Sequence, residues 1–166
     1  MVMVRQRLAD EAATAALAAR FAAALPEDTA GWTVLLEGEL GAGKSTFARA
    51  LLRALGHQGS VPSPTYTLVE PYAVSGRDIY HIDLYRISSE EELYFLGWSD
   101  IDDGLRLVEW PDRAPGLAAS ADVRICLAYG SAIGSAIDAS GRNIEIEAIS
   151  LRANDVIAAV ADSGSN

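Results

Sequence analysis

Gly38-Glu39-Leu40-Gly41-Ala42-Gly43-Lys44-Ser45 decides the fold. It is G-x-x-x-x-G-K-[ST]. The apolar run Trp32-Thr33-Val34-Leu35-Leu36 precedes it, and an Ala/Leu-rich run from Phe47 to Leu55 follows. Strand, glycine loop and helix in that order form a phosphate-binding loop. Glycines let successive backbone N–H groups turn inward onto a phosphate, and the helix N-terminus adds its positive dipole end. Gly41, Ala42, Gly43, Lys44, Ser45 and Thr46 are the expected nucleotide-contacting stretch, with Lys44 reaching the β- and γ-phosphates and the Ser45 hydroxyl on Mg²⁺. Lys44 is the only lysine in the chain; all other basic residues bar histidine are arginine. A cradle built for a compact ammonium would not accept the planar guanidinium fork.

The chain's 166 residues correspond to one domain, expected over 1–161 with a frayed tail at 162–166. Hydrophobic residues make up 50%, enough for a sizeable core. No apolar run approaches a membrane span, and the first ten residues lack the hydrophobic centre of a leader peptide. The single cysteine, Cys126, fits a reducing, cytoplasmic setting, and its apolar run points to a buried, inert thiol. A formal charge of −10 argues against a large direct grip on nucleic acid. No DNA or membrane partner is expected, and any RNA would be held mostly by a partner protein.

Outward from the loop, Asp10–Leu25 reads as a helix capped by Asp10, and Gly56 closes the helix after the loop. Residues 57–64 read as loop. Thr65–Tyr72 and Ile79–Leu84 read as a hairpin around a Ser75–Asp78 turn. A short helix capped by serine starts at Ser88 and ends at Gly97. Leu105–Val108, Val123–Leu127 and Ile144–Ile149 read as strands, with a Gly/Ser/Ala loop between the last two. Asn154–Val160 reads as a helix. Few helices separate the late strands. The expected fold is therefore α/β: a P-loop NTPase-like domain with a mixed parallel and antiparallel central sheet.

Hydrolysis needs an acid to complete the Mg²⁺ shell and a group to orient water. Asp83 follows Tyr80-His81-Ile82, and Glu109 follows Leu105–Val108; from spacing alone either could serve, or be a solvated strand end. His57 reads as a loop residue and His81 as a packed or hydrogen-bonded one. Arg86 could be an in-chain arginine finger or a structural ion-pair member.

The blocks Ser63-Pro64-Thr65-Tyr66-Thr67-Leu68-Val69, Asp83-Leu84-Tyr85-Arg86, Glu90-Glu91-Glu92-Leu93 and Val108-Glu109-Trp110-Pro111 follow the P-loop in that order. With it they resemble the TsaE (YjeE) family, small bacterial P-loop ATPases that support N6-threonylcarbamoyladenosine formation at position 37 of tRNA. The resemblance covers about Asp10 to Pro111. Many members carry threonine where this chain has Ser45, and both supply a hydroxyl. The resemblance implies that Ser45 and Glu109 hold Mg²⁺, that Asp83 is the acid needed for turnover, and that Thr65 is switch-like near the γ-phosphate. It implies that Trp110 flanks the nucleotide, that Glu11 approaches the adenine, and that the Gly141-Arg142 turn closes over it. The implied activity is slow, partner-stimulated ATP hydrolysis with a TsaB–TsaD-type complex, which itself handles the tRNA. A small-molecule kinase and a nucleotide-gated binding module are the rival readings.

Overall fold

The computed structural model describes residues 2–130 and 141–164. Seven strands form one sheet: β1 (Met3–Leu8), β2 (Thr33–Glu37), β3 (Val69–Val74), β4 (Arg77–Asp83), β5 (Leu105–Glu109), β6 (Val123–Tyr129) and β7 (Arg142–Ala148). The helices are α1 (Glu11–Ala24), α2 (Lys44–Leu55), α3 (Glu92–Phe95) and α4 (Ala153–Asp162). Across the sheet the order is β1-β7-β6-β2-β5-β4-β3. The strands β6, β2, β5 and β4 run parallel to one another; β1–β7, β6–β7 and β3–β4 pair antiparallel. The mixed α/β sheet is the one expected.

Strand alternation divides the core. Val34 and Leu36 of β2, with Leu105 and Leu107 of β5, pack with Leu17 and Phe21 of α1, Phe47 and Leu51 of α2, and Ile157 of α4. Leu35, Ile82 and Val108 face the other way, onto Leu84, Ile87, Leu93, Ala114 and Leu117. By the same alternation His81, Asp83 and Glu109 lie on the α2 side of the sheet, and the last two end adjacent parallel strands. Asp10 caps α1 as expected, its Oδ1 accepting Ala13 N–H at 2.8 Å.

Four readings of the sequence change. The first ten residues contain a strand, β1: its alternation buries Val4 and Leu8 while Arg5 and Arg7 stay out, and it pairs along β7. Strand β3 starts at Val69 and not at Thr65, because Leu68 turns to φ 68° and its N–H returns to the Pro64 carbonyl at 2.7 Å. The hairpin turn is the two-residue Ser75-Gly76, both at positive φ, with Val74 opposite Arg77. Helix α3 starts at Glu92, because the Glu92 carboxylate accepts the Ser88 N–H at 3.1 Å and holds residues 88–91 as a turn. The Gly/Ser/Ala loop between β6 and β7 lies largely outside the described residues.

Candidate functional site

The P-loop leaves the buried end of β2 and enters α2 through Gly43, the N-cap, at φ 112°. Gly38 has no room for a side chain: a Cβ there would lie 2.5 Å from the Leu127 carbonyl of β6. Loop and neighbouring strand are thus pressed backbone to backbone, which positions the α2 N-terminus over the ends of β4 and β5.

A cavity of about 250 Å³ opens there, lined by the P-loop residues from Leu40 to Thr46 other than Ala42, and by Thr65, Asp83, Tyr85, Glu109 and Trp110. The Ser45 hydroxyl donates to Glu109 Oε1 at 2.8 Å, and His81 Nε2 lies 2.5 Å from Glu109 Oε2. Thr65 Oγ1 donates to Asp83 Oδ2 at 2.9 Å, and the Tyr85 N–H donates to Asp83 Oδ1 at 2.9 Å. The Ser63 hydroxyl stands 2.8 Å from that of Thr65, so the 63–68 turn is tied to Asp83.

Lys44 Nζ donates to the Gly38 and Glu39 carbonyls at 2.6 and 3.0 Å and sits 4.0 Å from the Trp110 ring centroid. Burial lowers the ammonium's pKa below the usual lysine value, against the opposing pull of Glu109, Asp83 and Asp112. Trp110 adopts φ 57°, uncommon for a bulky residue, and its ring meets Tyr85 at 4.9 Å between centroids.

Glu11 lies on the other flank of the P-loop. With Leu8, Asp10, Thr14, Leu127 and Arg142 it lines a smaller cavity of about 100 Å³ against Gly41, Ala42, Gly43 and Thr46. From the Gly141-Arg142 pair it is Arg142 that reaches this cavity; Gly141 instead accepts Arg142 Nη1 at 2.9 Å through its carbonyl. Arg142 Nη2 also donates to the Gly41 carbonyl at 3.3 Å.

Sequence reasoning missed two supports. Tyr129 donates its hydroxyl to the Leu40 carbonyl at 2.7 Å and no motif marks it. The His81–Glu109 contact could have been found from β4–β5 pairing, had the register been known. Arg86 makes no ion pair among the described residues; its guanidinium lies 5.5 Å from the Tyr66 ring centroid. His57 is a loop residue, its Nε2 3.0 Å from the Ser60 carbonyl. Cys126 is half-buried and not fully so, its thiol donating to Glu37 Oε2 at 3.3 Å.

The family profile described as Threonylcarbamoyl adenosine biosynthesis protein TsaE matches residues 8–135. The chain belongs to the TsaE family. A "tRNA threonylcarbamoyladenosine biosynthesis protein TsaE" from Haemophilus influenzae is 42% identical over 128 residues, 76% of each chain. The Nostoc protein of the same name is 35% identical over 136 residues, 78% of each chain. The crystal structure of Bacillus subtilis YdiB superposes with a TM-score of 0.73 at 25% identity, covering 99% of both chains. The shared architecture therefore extends through β7 and α4, beyond the stretch that the TsaE profile matches.

Two oxygen donors, the Ser45 hydroxyl and the Glu109 carboxylate, meet at the α2 N-terminus beside the P-loop. That donor set suits Mg²⁺, which takes one or two protein oxygens and completes its octahedron with phosphates and water. No cluster of three or more His, Cys, Asp or Glu side chains suited to an all-protein metal cage occurs among the described residues.

Proposed function

We propose that this TsaE-family chain is a Mg²⁺-dependent ATPase serving N6-threonylcarbamoyladenosine formation at position 37 of tRNA, in the cytoplasm. It acts with a TsaB–TsaD-type protein pair that carries the tRNA and performs the transfer. The observation that carries this reading is the convergence of Lys44, Ser45, Glu109, Asp83 and Thr65 on one cavity at a helix N-terminus. The P-loop amides and Lys44 bind and orient the polyphosphate. Bound Mg²⁺ would neutralise charge developing on the phosphates, held by Ser45 and Glu109. Asp83, held by Thr65 and the Tyr85 N–H, lines the cavity, where a remaining lone pair positions the attacking water or takes its proton. Glu11 and Arg142 flank the loop on the side where a nucleoside would extend.

A partner-binding role fits the surface of α3, on the face of the sheet opposite α2. Tyr94 and Phe95 are 83% and 86% exposed, next to a Leu93 buried under the ends of β4 and β5. Glu90 and Glu91 are exposed beside them, a charge that repels RNA and suits a protein face edged with basic residues. The test is phosphate release from ATP with no acceptor present, with and without Mg²⁺, then with a purified TsaB–TsaD pair. Slow Mg²⁺-dependent release, accelerated by the pair, is expected. Release that requires an alcohol acceptor would establish a kinase, and ATP binding with no release even beside the pair would establish a nucleotide-gated module.

A further inference from the structure

We propose that His81 is the positioning residue that aims Glu109 at the ion it shares with Ser45, a role that rests on the Mg²⁺-ATPase reading above. His81 lies mid-β4, opposite Leu107 of β5, so Glu109 is its diagonal neighbour on the same face of the sheet. Both side chains are buried, at 1% and 2% exposure. The two Glu109 oxygens have different partners: Oε1 accepts from Ser45, and Oε2 meets His81 Nε2 at 2.5 Å. A buried carboxylate free to rotate could turn either oxygen, or both, toward the ion. With Oε2 held, only Oε1 is presented.

The histidine's tautomer follows from its surroundings. Among the described residues Nδ1 is buried with no hydrogen-bond partner. A proton on Nδ1 would be a buried unsatisfied donor and would leave two acceptors facing each other at Nε2 and Oε2. A proton on Nε2 is donated to Glu109. The imidazole is therefore a one-sided donor, and a strand interior fixes its position more tightly than a loop could. Mg²⁺ demands near-ideal octahedral geometry, so the angle of one ligand oxygen matters to it more than to a flexible ion. Partners that orient a metal ligand typically contribute about 10–100-fold in metal affinity. Packing alone would explain a buried histidine without this effect, and the two roles separate by experiment.

His81→Leu keeps bulk but has no donor. His81→Gln places an amide N–H at about the reach of Nε2, while His81→Asn is too short. Binding of a non-hydrolysable ATP analogue is measured by calorimetry with and without Mg²⁺, and Mn²⁺ uptake by loss of the free-ion resonance in the presence of the analogue. Expected for His81→Leu is a roughly 10–100-fold loss of the Mg²⁺-dependent gain and weaker Mn²⁺ uptake, with metal-free analogue affinity within about two-fold. His81→Gln recovers most of that gain; His81→Asn does not. Should His81→Leu fail to fold, the Gln and Asn pair carries the comparison. Equal metal dependence in all folded variants, or a Gln variant no better than Asn, overturns the positioning role. Wild-type protein that binds the analogue with no Mg²⁺ dependence overturns the ATPase reading and this inference with it.

Discussion

Asp83 and Glu109 are register partners at the ends of the parallel strands β4 and β5, yet their carboxylates are held in opposite ways. Glu109 is tied to Ser45 at the P-loop and to His81 in the sheet. Asp83 is tied to the 63–68 turn through Thr65 and to the chain leaving β4 through Tyr85 N–H. A metal ligand matters as soon as MgATP binds, whereas a water-orienting acid matters mainly in the transition state. Glu109→Ala should weaken MgATP binding and blunt its Mg²⁺ dependence. Asp83→Ala should leave binding within a few-fold and lower kcat by roughly 10²-fold or more. Analogue titrations with and without Mg²⁺, followed by phosphate release beside the partner pair, separate the two. The reverse pattern would mean the roles are exchanged.

Lys44 is confined on three sides, by the Gly38 carbonyl, the Glu39 carbonyl and the Trp110 face. A guanidinium is planar and wider, and cannot enter such a slot without displacing the indole. Lys44→Arg should therefore lose most turnover despite keeping the charge, close to the roughly 10²–10³-fold loss expected for Lys44→Ala. Near-normal phosphate release by the Arg variant would show that the slot is adaptable.

Cys126 stands opposite Glu37 across the β2–β6 pairing. Burial, then the Glu37 charge, push its thiol up to about 12. At pH 8 the thiolate fraction is then on the order of 10³-fold below that of an ordinary cysteine. A thiolate of higher pKa is also the stronger nucleophile, so reaction with a thiol-specific disulfide reagent should be slower by roughly 10–100-fold in native protein than in urea. Comparable rates in both states would contradict the shielding.

Legibility in the sequence followed how local each determinant is. The P-loop, α1 and α2 were readable because caps, glycines and helical periodicity act within a few residues. Asp83 and Glu109 were recognisable as strand ends, but not as register partners, since pairing is set by the sheet. The 65–68 segment looked like strand because threonine and tyrosine favour one; Leu68 leaves the β region there and the turn closes on Pro64. Strand β1 was missed because an edge strand buries only alternate residues and leaves arginines outside. Tyr129 and Arg142 reach the P-loop from β6, which adjoins β2, and from β7, the next strand out, an order that only the topology sets.

At the end of the sheet away from the P-loop, Asp122 tests how much of the fold rests on one buried carboxylate. It is 2% exposed and accepts from Thr33 N–H, the Ser150 hydroxyl, and both Nε and Nη2 of Arg152. Burial works to raise its pKa, and the bonds from Arg152, Ser150 and Thr33 outweigh it, leaving the group below the usual carboxylate value. A folded-state pKa depressed in this way contributes stability that is fully present above the unfolded value of about 3.9 and is lost as pH falls through the folded value. Asp122→Asn puts an amide N–H where a donor already points. It should cost about 1–3 kcal/mol at neutral pH, mostly through donors left unsatisfied, since Arg152 is half exposed and can return to water. Urea melts of both proteins should differ by a constant amount from about pH 8 down to about pH 5, and the gap should narrow below about pH 4. ATP-analogue binding at neutral pH should be unchanged, because Asp122 touches none of the site. A gap that stays constant down to pH 2.5 would mean that the carboxylate's charge contributes nothing to the fold.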